Sequence, residues 1–180
     1  HHESISFLLA GHETTANALS WMLAFLVQHP EEQERCASDP EAIDRAFHEA
    51  MRLAPPIWII ERHALGDDQV SGYDVPKGAS IAIPTYTMHR HRDFWDEPDR
   101  FNPDRCIDAD LHPAAFIPFG IGPRVCIGKE FALMEARIIA SALLPKFRFS
   151  LASDATPEPE AAITLRIKGD LHLKLEPRKA

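Results

Sequence analysis

Cysteine is scarce: the 180 residues hold three, Cys36, Cys106 and Cys126, odd in number and far apart. That excludes a disulfide framework and leads to the expectation of a reducing, cytoplasmic location. Basic charge is short as well. Nineteen Lys and Arg stand against 27 Asp and Glu, a net charge of -8, so the basic stripe of a nucleic-acid binder is missing. Long apolar runs are absent too. "ISFLLA" and "WMLAFLV" are separated by "GHETTANALS", which leaves no stretch long enough to span a membrane. The residues show no signal-peptide pattern and no internal repeat. The chain opens in mid-pattern at "HHESISFLLAG", without Met, which gives the expectation of the C-terminal part of a longer protein whose upstream segments, an anchor included, are out of view. What is there suffices for one core: 45% of the residues are hydrophobic.

Periodicity divides the chain into a helical first part and a strand-rich remainder. A proline-free segment from about Glu3 to His29 predicts one long helix, ended by Pro30, which starts a second helix at its first turn. "SDPEAIDRAFHEAMRLAPP" predicts a third, with Asp39 as N-cap, Pro55-Pro56 as the stop, and an apolar face of Ile43, Ala46, Phe47, Ala50 and Met51. "IWIIERHAL", "DQVSGYDVPKG" and "ASIAIPTYT" read as short strands and turns, and "HRHRDFWDEPDRFNPDRC" as a long charged and aromatic loop. "GKEFALMEARIIASALLP" predicts a final helix. "SLASDATPEPEAA" reads as a loop, and "ITLRIKGDLHLKLEP" as a hairpin turning at Gly169-Asp170. The expected class is mainly α, within α+β.

Several stretches break local rules. "AGHETT", Ala10 to Thr15, puts a glycine and two β-branched threonines inside a helix and sets Glu13 beside two hydroxyls. A solvated helix face is the plain alternative. "HETT" and "HEAMR" each open like a zinc-protease motif, but Ala16 and Arg52 stand where the second His belongs. His89 and His91 in "HRHR" read as surface or loop histidines. In "EAMR", Glu49 and Arg52 lie three apart on one helix face and can form an ion pair, with Arg105 of "FNPDR" as a second guanidinium for the same carboxylate. "FIPFGIGPRVCIGKEF" places one thiol in a glycine-rich loop before a helix. It is no dinucleotide fingerprint, because Val125 replaces the third glycine and Pro123 sits in the turn. A structural thiol is one reading. The other is a metal-ligating thiolate, stabilised by loop amides and by the positive N-terminus of the following helix. With no second ligand in the loop, such a thiolate suits a cofactor that brings its remaining ligands, as haem does.

These motifs resemble those of the cytochrome P-450 superfamily. "FGIGPRVCIG" matches every fixed position of the haem-thiolate signature FxxGxRxCxG; "AGHETT" is similar to the oxygen-activation motif of the distal helix. "EAMR" is similar to ExxR and "FNPDR" to the Phe-x-Pro-x-Arg segment, all four in the family's order. The resemblance covers essentially the whole chain. It implies the C-terminal, haem-binding portion of a single larger domain spanning residues 1–180, with a long distal helix, a proximal haem helix and small sheets. It implies haem b (iron protoporphyrin IX) held by Cys126, with Phe119 shielding the sulfur and Gly120, Gly128, Ala10 and Gly11 lining the cofactor. Arg124 and Arg62 would pair with its propionates. Thr14 would hold dioxygen and water by hydrogen bonds, and Glu13 would relay protons. Glu49, Arg52 and Arg105 would form a structural ion-pair cluster.

The implied activity is insertion of one oxygen atom from O2 into a C–H bond of a small apolar organic substrate. Electrons would come from an NAD(P)H-driven ferredoxin or flavodoxin. The missing N-terminal part would supply the helix on the other side of the haem and most propionate contacts, so the piece alone is expected to bind haem poorly. Three other readings stand beside this one: a peroxide-using or rearranging member, a non-catalytic haem-binding protein, and an inactive truncated fragment. The Glu13–Thr14 pair argues for catalysis with dioxygen.

Overall fold

Pro30 is the first proline of the chain, and helix α1 (His2–Gln28) runs unbroken almost up to it. The computed structural model describes residues 2–105, 111–153 and 155–179; Cys106 lies outside them. Helix α2 (Pro30–Ser38) begins on Pro30 itself. Helix α3 (Pro40–Leu53) is capped by Asp39, whose carboxylate accepts from the Glu41 N–H at 2.8 Å. Ile43, Phe47 and Met51 of α3 meet Ala18, Met22 and Leu26 of α1, and Ala136, Ala140 and Leu144 from α5 (Lys129–Leu143) and its end close the far side. Each large apolar side chain fully buried there contributes about 1.5–3 kcal/mol. The buried amide of Gln33 fastens strand β5 (Phe147–Leu151) to this bundle. Its Nε2 donates to the Phe149 carbonyl at 3.1 Å and its Oε1 accepts from the Phe149 N–H at 2.8 Å.

Among the described residues the strands form four two-stranded antiparallel sheets. β1 (Ile60–His63) pairs with β4 (Ser80–Ile83), and β2 (Asp68–Val70) with β3 (Tyr73–Val75). Pro84 then precedes the four-residue helix α4 (Thr85–Met88), within a stretch expected to hold short strands and turns. The expected hairpin at Gly169-Asp170 does not form. β7 (Leu165–Ile167) pairs back with β6 (Pro159–Ala161), and β8 (Leu173–Pro177) pairs with β5. Gly169 does take a positive φ of +72° in a bend of the chain. Alternation sets which face of a strand is buried, however, and leaves the partner to distant contacts. β6 and the end of β5 consequently occupy what reads as loop. Leu165 and Ile167 join Trp21, Ala24 and Ala54 in a second apolar cluster, which seats β7 against α1. The molecule is mainly α with small sheets, as expected.

Candidate functional site

Loop geometry brings Cys126 to the surface immediately before α5. Gly120 and Gly122 have φ of +75° and +74°, a region that L side chains avoid, and a 3₁₀ turn at Gly122–Arg124 follows. The Cys126 N–H donates to the Phe119 carbonyl at 2.9 Å and closes the loop. The Phe119 ring packs against the main core, so the loop is anchored at its base while its thiol is exposed. A Cβ on Gly128 would sit 3.8 Å from the Cys126 Sγ, so the backbone passes close beside the sulfur. The N–H groups of Ile127 and Gly128 make no hydrogen bond to another described residue and remain available to an anionic sulfur. Cys36 is the opposite case. It is buried in the main core, and burial pushes its thiol up to about 12.

On α1, the Thr14 hydroxyl donates to the Ala10 carbonyl at 2.6 Å, which fixes its rotamer. Gly11 faces open space, with nothing within 4 Å of where a Cβ would be. Glu13 is exposed, and its Oε1 accepts from the Thr164 hydroxyl at 2.7 Å. Phe7, Leu8 and Leu9 upstream are all more than half exposed, as is Ile127 beside the thiol. Arg124 has no ion-pair partner among the described residues; Arg62 on β1 donates only to the Glu61 carbonyl at 2.8 Å.

The ExxR pair is fully buried. The Glu49 and Arg52 side chains are 4% and 1% exposed and meet as a fork. Nε donates to Oε2 at 2.7 Å, and the second terminal nitrogen donates to Oε1 at 2.8 Å. Arg52 also donates to the carbonyls of His89 (2.8 Å), Pro98 (2.7 Å) and Arg100 (3.2 Å). Glu49 Oε1 accepts further from the Arg105 Nε at 3.3 Å and the Asn102 N–H at 3.0 Å. Trp95, which the sequence reading passed over, lies beneath both guanidinium groups, 5.0 Å from Arg52 and 6.0 Å from Arg105. His89 is likewise no surface residue. It is fully buried, and its Nε2 accepts from the Ile117 N–H at 2.9 Å, so it ties this cluster to the segment leading into the thiol loop. His91 is exposed, as expected. The cluster thus pins three carbonyls and a histidine behind the loop.

Comparison with known proteins decides the family. The family model for cytochrome P-450 matches residues 1–173. The chain belongs to the cytochrome P-450 family. It is 35% identical to a putative cytochrome P-450 132 of Mycobacterium tuberculosis, over 95% of this chain and 41% of that protein. It is 35% identical to leukotriene-B4 omega-hydroxylase 3 of Mus musculus, over 99% of this chain and 38% of the relative. The crystal structure of the cytochrome P-450DA heme domain superposes with a TM-score of 0.90 at 31% identity, covering 97% of this chain and 43% of that one. The chain therefore spans about two fifths of the length of the relatives it matches. No helix among the described residues is long and apolar enough to cross a membrane.

The donor set fits the family's haem. Among the described residues no group of three or more His, Cys, Asp or Glu could hold a metal ion, so an iron on Cys126 would take its other ligands from a macrocycle. The exposed apolar side chains of α1 and Ile127 suit the flat faces of a porphyrin, and the unpaired Arg124 suits its carboxylates.

Proposed function

We propose that these 180 residues are the C-terminal, haem-binding portion of a single larger haem-thiolate domain. Its reaction inserts one oxygen atom from O2 into a C–H bond of a small apolar organic substrate. The observation that carries the reading is the exposed thiol of Cys126, closed into a glycine loop at the start of α5 with two amides beside it that are unpartnered among the described residues. When bound as the b form, haem supplies the activation of dioxygen and the transfer of its oxygen atom. Cys126 would hold its iron through the sulfur, and the amides of Ile127 and Gly128 would temper the charge there. Gly120 and Gly128 would let the loop backbone approach the cofactor, and Ala10 and Gly11 would line it from α1. Arg124 and Arg62 pair with the propionates.

The pair on α1 handles protons and water. Because the Thr14 hydroxyl gives its proton to the Ala10 carbonyl, its open side accepts hydrogen bonds and so orients water or a protonated ligand. Glu13, exposed and with one oxygen unpartnered among the described residues, exchanges protons with solvent and passes them toward Thr14. Glu49, Arg52 and Arg105 hold the loop's support and take no part in the chemistry. Electrons come from an NAD(P)H-driven ferredoxin or flavodoxin docked near Cys126; a cleft of about 490 Å³ that reaches Lys129 at the start of α5 is lined by Arg45, His48 and Arg105 together with Asp44, Glu49 and Asp104. A cytoplasmic setting accords with a thiolate site. The leukotriene-B4 omega-hydroxylase among the relatives supports a hydroxylation reaction.

The test is Thr14→Ala in the haem-loaded full-length protein. The reading expects NAD(P)H consumption to continue while product per NAD(P)H falls and peroxide appears in its place. Product yield unchanged from the native protein would contradict it.

A further inference from the structure

The hydroxyl of Thr164 sits at the turn between β6 and β7, 147 residues from Asn17 and 151 from Glu13 in sequence, yet it bonds to both. Thr164 is 3% exposed although its neighbour Ile163 is 91% exposed. A buried hydroxyl has to find partners. Here the Asn17 side-chain amide donates to Thr164 Oγ1 at 3.0 Å, and Thr164 donates its one proton to Glu13 Oε1 at 2.7 Å. Glu13 and Asn17 lie four apart, on one face of α1, which is why both reach the same oxygen. The order of donors fixes direction: the amide fills a lone pair of the hydroxyl, and the hydroxyl's proton is left for the carboxylate.

The turn that carries Thr164 is itself held from several sides. The Leu165 N–H donates to the Pro56 carbonyl at 2.8 Å, Trp21 Nε1 donates to the Leu165 carbonyl at 3.2 Å, and Trp58 Nε1 donates to the Ala162 carbonyl at 2.9 Å. Leu165 and Ile167 are packed under Trp21 and Ala54. Thr164 is therefore a fixed post. Glu13, by contrast, is an exposed side chain with three rotatable bonds, and that single hydrogen bond is all that holds its carboxylate to a described residue.

We infer that Thr164 is a positioning residue for the proton-delivering carboxylate of Glu13. Thr14 is oriented by its own helix through Ala10, whereas Glu13 is oriented by a sheet far along the chain. The two groups thus keep a defined relation only while β6–β7 is seated on α1. Without the Thr164 hydroxyl, Glu13 samples its other rotamers and offers its proton from the wrong place for most of the time. This inference rests on the proton-relay reading of Glu13 given above.

The experiment uses the haem-loaded full-length protein with Thr164→Val, which keeps the shape and removes the hydroxyl, and Thr164→Ser, which restores it. Thr164→Ala serves as the second hydroxyl-free variant should valine prevent folding. Urea unfolding of Thr164→Val, Glu13→Ala and the double variant gives a readout independent of turnover. The folding constants are expected to depart from additivity by about fivefold. In turnover, Thr164→Val is expected to lower kcat about tenfold with KM within about twofold, to enlarge the solvent deuterium isotope effect, and to divert electrons to peroxide. Serine should return all three to near native values. Additive stabilities, a native isotope effect in the hydroxyl-free variants, or failure of serine to rescue would each overturn the assignment. Loss of the red-shifted carbon monoxide band in the native protein would instead sink the haem-thiolate reading, while the stability cycle still reports on the Thr164–Glu13 bond.

Discussion

Arg52 joins several segments at once, because one guanidinium satisfies the buried Glu49 carboxylate and the carbonyls of His89, Pro98 and Arg100. Removing it leaves Glu49 inside the protein with Arg105 as its remaining cation. Arg52→Ala is expected to cost about 3–5 kcal/mol, and Arg52→Lys a substantial part of that, since one ammonium cannot form the fork and reach the carbonyls together. Urea denaturation measures this, and a loss under about 1 kcal/mol, the range of a surface pair, would refute it. His89 gives a second, titratable expectation. Burial holds it down to about 4, aided by the charges of Arg52 and Arg90. Between about pH 6.5 and about pH 4 the unfolded chain binds a proton that the folded chain refuses, so stability falls as pH drops through that window, by up to about 3 kcal/mol. In His89→Gln an amide oxygen takes the place of Nε2 as acceptor for the Ile117 N–H, and the slope from this group should vanish. Identical pH dependence of unfolding in the two proteins would contradict the assignment. The i, i+3 spacing made the Glu49–Arg52 pair legible in the sequence. The burial of His89 was not, because "HRHR" carries no local sign that one histidine points inward and the other outward.

Elements show the same division between local and distant information. The prolines and Asp39 mark the helix starts to within a residue, because caps and prolines act on their own turn. Strands β1 to β4, β7 and β8 fall within stretches whose pattern reads as strand, whereas β6 and the end of β5 do not. The pairing of β5 with β8 joins segments too far apart in sequence for any local sign of it. The thiol loop lies between these cases: its glycines declare a tight turn, and two of them take positive φ. Gly120→Ala is expected to cost about 1–2 kcal/mol from the dihedral alone, because the new Cβ would meet the Arg124 carbonyl at an unstrained 3.7 Å. In the haem-loaded protein that cost should appear as a lower melting temperature and a weakened thiolate spectrum. An unchanged melting temperature would show that the left-handed conformation is not required there.

At the scale of the molecule, the chain exposes apolar side chains that a self-sufficient fold would cover. Phe7, Leu8 and Leu9 on α1 and Phe131 and Ile138 on α5 are each at least 60% exposed. On the proposal that the piece completes a larger domain, the isolated 180 residues should self-associate in light scattering and bind haem weakly. A stable monomer with tightly held haem would overturn that view. The four motifs were legible because each obeys a short spacing rule, and the Thr164–Glu13 contact was not, since 151 residues separate its partners. The central claim is that the glycine loop exists to present Cys126 to iron. The most direct measurement is the carbon monoxide difference spectrum of the dithionite-reduced, haem-loaded full-length protein, native and with Cys126→Ala or Cys106→Ala. The account predicts a strongly red-shifted Soret band that Cys106→Ala keeps and Cys126→Ala loses; an ordinary histidine-type band in the native protein, or a shifted band surviving in Cys126→Ala, would contradict it.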